Sequence, residues 1–196
     1  MKLRWLVLAT IVVGSYQYFD TRAVQQPDGV LAPYAPQQRE LTAAAAFTHD
    51  EYLIVPQAEF EITARVLSRE NYRFGREAEL SPVDLALGWG RMSDQQILEK
   101  FEISQSGRFY FWRVEHYPIP RQEIVANSAN MHMVPASDEV HEVLGDVREG
   151  HVVHLRGYLV NIRGQDGWHW NTSLQRTDTG NGACELIWVE VAEIVG

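Results

Sequence analysis

Polar and apolar residues alternate most clearly in two parts of the chain. Phe60, Ile62, Ala64 and Val66 are interleaved with Glu59, Glu61, Thr63 and Arg65, the period-two pattern of a strand with one buried face. Between Gly150 and Val195, three apolar runs at residues 151–162, 168–174 and 184–195 are separated by turns rich in Gly, Asp, Asn and Thr, which is how a β-meander is written. Runs at 101–104 and 108–114, either side of Ser106 and Gly107, and at 127–134 before Pro135 add further strands.

The helical period is rarer. Ser137 with Asp138 and Glu139 caps a helix whose apolar stripe is Val140, Val143, Leu144 and Val147. Ser81-Pro82-Val83-Asp84 places Ser at an N-cap and Pro at a first helical position, predicting a short helix that ends at Gly88-Trp89-Gly90. Ser93 and Asp94 open a second helical piece reaching Lys100.

In the run 151–162, Val153 and Leu155 point one way and Tyr158, Val160 and Ile162 the other, with Gly157 between them. A glycine at a phase change predicts a bulge or a barrel corner. Strands, a helix, then more strands predict a mainly β protein with short helices, folded as a small OB-like β-barrel, closed or partly closed. Such barrels host many unrelated functions, so the architecture assigns none.

Ahead of this single domain, residues 47–196, lie two segments of different character. Residues 1–19 read as a membrane anchor or uncleaved signal: Lys2 and Arg4 are followed by an apolar run from Trp5 to Phe19, ending in the interfacial aromatics Tyr16, Tyr18 and Phe19. As a helix this run covers only about 22 Å of a hydrocarbon core of about 30 Å, so its ends must snorkel. The positive end stays inside, which places a single-pass chain in a bacterial inner membrane with its domain on the periplasmic side. Residues 20–46, with Pro27, Pro33 and Pro36 among Gln and Ala, read as an extended linker from membrane to domain.

Composition narrows the partners. The chain is 45% hydrophobic and 11% aromatic, as folded proteins are, and carries a net charge of -9. Lys2, Arg4 and Arg22 all precede the domain, which is therefore more acidic still and would repel phosphate backbones, so nucleic acid is not an expected partner. The single cysteine, Cys184, rules out a disulfide within the chain.

No assembled catalytic motif stands out. On a strand, Trp168, Trp170, Thr172 and Leu174 share one face, filling the barrel, and leave His169, Asn171 and Ser173 on the other as a polar recognition surface. His169 and Ser173 lie about 13 Å apart along such a strand, too far for base and nucleophile. Arg176 and Asp178, in a loop with Gly180 and Gly182, suit an anion or each other. Trp89, between two glycines, is the aromatic expected to stand exposed.

Cys184 opens a strand and reads as a small buried hydrophobe. Two thioethers and an imidazole in Met131-His132-Met133 suit Cu(I), but on a strand both methionines face one side and read as core residues flanking an exposed His132. His151 and His154, three apart on a strand, face opposite ways. Arg108, Phe109, Tyr110, Phe111, Trp112 and Arg113 mix basic and aromatic residues as single-strand binders do, but suit a barrel wall. HExxH, CxxC and Walker patterns are absent, and no cofactor is expected.

The blocks FEITARVLSRENYRF, SPVDLALGWGRMSD, ISQSGRFYFW, NSANMHMVPA and SLQRTDTGNGACELIWVE together resemble a family of proteobacterial envelope proteins that begin with a membrane segment. The resemblance spans Phe60 to Val191 and implies membrane anchoring and a single domain. It implies no activity, and no catalytic residue is carried over.

The expected function is that of a membrane-tethered, non-enzymatic periplasmic module that binds an envelope protein or another envelope component. Trp89, His169, Asn171, Ser173, Arg176 and Asp178 are its candidate contacts. The alternatives are a periplasmic hydrolase, with Cys184 or Ser128 as nucleophile and His132 or His169 as base, and a copper- or zinc-binding protein centred on His132.

Overall fold

The computed structural model describes residues 22–175 and 184–196. The expected anchor at residues 1–19 lies outside them. Among the described residues, no helix is long and apolar enough to cross a membrane.

The structure is mainly β with a few short helices. Its strands are β1 (Gln37–Glu40), β2 (Phe47–His49), β3 (Tyr52–Asn71), β4 (Val83–Gly88), β5 (Phe101–Ser106), β6 (Phe109–Val114), β7 (Ser128–Pro135), β8 (Val152–Gly164), β9 (His169–Trp170) and β10 (Glu185–Ile194). The helices are α1 (Arg76–Leu80), α2 (Gln95–Leu98), α3 (Arg121–Ala126) and α4 (Asp138–Asp146). Pairings run from β3 to β4, β7, β10, β8 and back to β3, so the sheet curls into a partly closed ring. Within that ring β7 and β10 are parallel and the other pairs antiparallel.

One long strand makes the curl possible. β3 has 20 residues and carries two bulges, at Gln57 and Leu67, where an extra residue bends the strand. The bulge at Gln57 also exchanges its faces. Tyr52 and Ile54 pack on the outside of the ring, whereas Ala58, Phe60, Ile62, Ala64 and Val66 pack inside, although all are even-numbered. The inner core adds Leu85 and Leu87 from β4, Met131 and Met133 from β7, Ile187 and Val189 from β10, and Val153, Leu155 and Leu159 from β8. Val140, Leu144 and Val147 of the α4 segment join the same core, and Ser137 Oγ accepts from the Val140 N–H as the cap.

The phase change expected at Gly157 is not there. Val153, Leu155 and Leu159 face inward and Tyr158, Val160 and Ile162 outward in one unbroken alternation, which the sequence disguises because both faces are buried. The irregularity sits opposite, on β10, where the register shifts between Val189 and Val191. Gly157 is needed for close approach, since a Cβ there would overlap the Trp188 carbonyl oxygen.

The helix expected from Ser81 and Pro82 is instead β4. Val83, Leu85 and Leu87 face the inner core while the strand is hydrogen-bonded on both sides, and the whole of it is buried. Tertiary pairing overrides the capping signature here. The hairpin β5–β6 then folds over the outer face: Phe101, Ile103, Tyr110 and Trp112 pack on Leu67, Ala86, Met92, Ile119 and Ile124.

Replacing Gly157 by Ala is expected to destabilise the protein by about 1–3 kcal/mol through overpacking. The loss would be read as a lower urea midpoint, and an unchanged midpoint would contradict the close approach of β8 and β10.

Candidate functional site

The outer face of β4 and β7 holds polar side chains where its neighbours are apolar. Asp84 and His132 are cross-strand partners, and Leu186 on β10 continues the row. Asp84 is fully buried and His132 is 3% exposed, so the histidine expected at the surface is interior. Met131 and Met133 point into the core, as the sequence pattern implied, and thus away from His132. Among the described residues no group of three or more His, Cys, Asp or Glu could hold a metal ion.

Arg108 closes the site from above. Ser106 pairs with Phe109, leaving Gly107 and Arg108 as a two-residue turn with φ of 59° and 71°. Such turns match the twist of the flanking strands, but the left-handed backbone at Arg108 costs about 1–2 kcal/mol for a side chain with a Cβ. The contacts that offset it are numerous. Arg108 Nη1 donates to Asp84 Oδ1 at 2.6 Å and to the Ser81 carbonyl at 3.0 Å. Its guanidinium lies 3.8 Å from the Tyr72 ring centroid and 5.4 Å from that of Trp170. Its backbone N–H donates to the Tyr72 hydroxyl, and its carbonyl accepts from Asn130 Nδ2 at 3.0 Å and Cys184 Sγ at 3.6 Å.

The second oxygen of Asp84 faces His132 Nδ1 at 2.9 Å, out of line for a hydrogen bond, and among the described residues neither atom has another partner. Trp170 covers the imidazole, with ring centroids 5.0 Å apart. Trp168 packs beside Trp170 and under Arg76, whose guanidinium is held by Asp166 at 2.8 Å. Thus the loop after β3, the β5–β6 turn and the segment after β8 converge on one buried carboxylate.

The residues chosen from sequence fare unevenly. Trp168 and Trp170 do pack together, but against the outside of the ring rather than within it, and the strand expected over 168–174 is only the two residues of β9. His169 and Asn171 are exposed near this shelf, whereas Ser173 is buried at 7% and its N–H donates to the Cys184 carbonyl. Arg176 and Asp178 lie outside the described residues. Trp89 is 1% exposed, because Gly88 and Gly90 let the chain turn inward: a Cβ on Gly88 would overlap the Met92 carbonyl oxygen, and Gly90 has φ of 52°.

Neither proposed nucleophile bonds to a histidine among the described residues. Ser128 Oγ donates to the Ile124 carbonyl and accepts from the Tyr110 hydroxyl. Cys184 is half-buried rather than a core hydrophobe. The residues that sequence reasoning missed are Asp84, Arg108 and Tyr72. One signal was present: Asp84 is the lone charge in the apolar run VDLALG.

Asp84→Ala would strand Arg108, whose side chain is only 15% exposed, as a buried charge without its partner. A loss of about 3–5 kcal/mol in urea unfolding is expected. A loss below about 1 kcal/mol, typical of surface pairs, would contradict this role. Burial also pushes the Tyr110 phenol up to about 12, from 10.0, with the hydrogen bond to Ser128 opposing. The unfolded chain therefore releases that proton first. Tyr110 contributes fully below pH 10 and its contribution is lost as pH rises from about 10 to about 12. Wild-type stability should fall across that window by more than that of Tyr110→Phe, and equal slopes would contradict it.

Comparison of the chain with protein-family models, curated proteins and solved structures found no match.

Proposed function

We propose that this protein is a membrane-tethered binding or assembly module on the periplasmic side of a bacterial inner membrane. Its ring is a barrel of OB type, and its partner is an envelope protein or another envelope component. The order β3, β4, β7, β10, β8 around the ring, the parallel β7–β10 pair and the helix α4 between β7 and β8 support the barrel reading. Barrels of this type hold ligands on the face of their second and third strands, between the loops after the first and fourth. Those strands correspond to β4 and β7, and those loops to residues 72–82 and 165–184.

The observation that carries the proposal is the convergence of residues 72–82 and of the described residues 165–175 on the Asp84, Arg108 and His132 cluster. A buried, paired charge fixes loop positions without itself meeting solvent, and the accessible contacts are the Trp168 and Trp170 shelf with His169 and Asn171. Arg176 and Asp178 follow in the same inter-strand segment. The hydrolase reading has less support, since Ser128 and Cys184 direct their hydrogens at backbone carbonyls. The metal reading has less again, because β7 directs His132 away from both methionines.

The test is capture of the full-length tagged chain from gently solubilised membranes, beside a His169→Ala and Asn171→Ala double variant and an Arg176→Ala and Asp178→Ala double variant. A stoichiometric component is expected with the wild type and lost from both variants, with melting temperature unchanged. Equal capture by all three would overturn this choice of surface.

A further inference from the structure

The segment expected to be a linker is extended, but it is bound along its length. Val24 N–H donates to the Glu149 carbonyl at 2.8 Å and Gln26 Nε2 to the Gly150 carbonyl at 3.0 Å. Gly29 N–H reaches Asp94 Oδ1, and the N–H groups of Leu31 and Ala32 share Ser93 Oγ at 3.1 and 3.0 Å. Gln96 Nε2 holds Asp28 at 2.9 Å. The Ala32 carbonyl accepts from Gly90 N–H, and Ala32 is 1% exposed within the inner core. β1 then pairs with β3, and Leu41 N–H donates to the Gln57 carbonyl.

Gly150 is fitted to this strap. Its φ is 90°, and a Cβ there would overlap the Val24 carbonyl oxygen. A free Pro, Gln and Ala linker keeps its hydrogen bonds for water. Here the chain from Val24 to Leu41 is part of the folded body.

That placement constrains how the domain meets a bilayer. The apolar run ends at Phe19, so only residues 20–23 separate it from the first strapped residue. Phe19 and Val24 are five residue steps apart and so at most about 18 Å even when fully extended. We propose that the end of the domain formed by Val24 and residues 149–151 is held against the lipid headgroups, and that the domain does not swing on a tether. This rests on the reading of residues 1–19 as a membrane anchor. The same end carries exposed apolar side chains, Ile194 at 39% and Val195 at 54%, where Val195 N–H donates to the Val152 carbonyl. β8 runs away from this end for 13 residues to Gly164. At about 3.3 Å per residue, that sets the Asp166 turn up to about 40 Å from the bilayer. The Trp168 and Trp170 shelf is thereby presented outward, toward partners beyond the headgroups.

The test uses the full chain, with Cys184→Ser, in vesicles of phosphatidylethanolamine and phosphatidylglycerol carrying nitroxide-labelled headgroups. A fluorophore is placed at Glu149→Cys in one variant and at Gln165→Cys in another. Quenching should be several-fold stronger at 149 than at 165. Inserting a Gly-Ser spacer between Ala23 and Val24 should bring quenching at 149 down toward that at 165 while leaving the fold intact. Equal quenching at the two positions in the native-length chain would overturn the strap proposal with the anchor still standing. Failure of the chain to float with the vesicles would overturn both.

Discussion

The outer face of β4 and β7 depends on the ion pair between Arg108 and Asp84. A carboxylate buried in a sheet is tolerable only when charge and hydrogen bonds surround it, and Arg108 supplies both. The cost of a left-handed backbone at Arg108, about 1–2 kcal/mol, is smaller than the penalty of about 3–5 kcal/mol for leaving either charge alone. The pair therefore decides where the β5–β6 turn sits. The rings of Tyr72 and Trp170 both meet the guanidinium, so the loops from which they come are fixed by the same contact.

Beneath it, the ring depends on β3 being long, bent and two-faced. It pairs with β1 and β2, with β8 along most of its length and with β4 beyond Arg65, which only a strand with two bulges can do. The extra residue at Gln57 moves the even-numbered side chains from the outer cluster to the inner one. The strap of residues 24–41 adds to the same strand through β1 and places Ala32 in the core, which joins the ring to the point where the chain leaves for its N-terminal apolar run.

Local periodicity was enough to read β3 over residues 59–66, the β5–β6 hairpin, β7, α4 and β10 from the sequence. It failed where both faces of a strand are buried. VDLALG has no polar phase, so the Ser and Pro before it dominated the reading, and Gly157 looked like a change of phase when it marked a neighbour's bulge. Trp89 was misjudged for a related reason: paired glycines signal sharp turning in either direction, and here they turn inward. The site itself was poorly legible. Asp84, Arg108 and His132 come from three strands or turns, and nothing local states that they meet. The strap was hidden because its bonds run to backbone and side-chain groups far along the chain, which composition does not register.

Hydrogen exchange of the full-length chain in membranes, with and without its captured partner, tests most directly whether the outer face of β4 and β7 is the working surface. Slowed exchange confined to residues 72–75, 105–110 and 165–184 on partner binding is the expected result. Protection instead along the polar groove of about 450 Å³ that Gln38, Arg39, Glu59, Glu61, Arg156 and Tyr158 line on another side of the ring would contradict it.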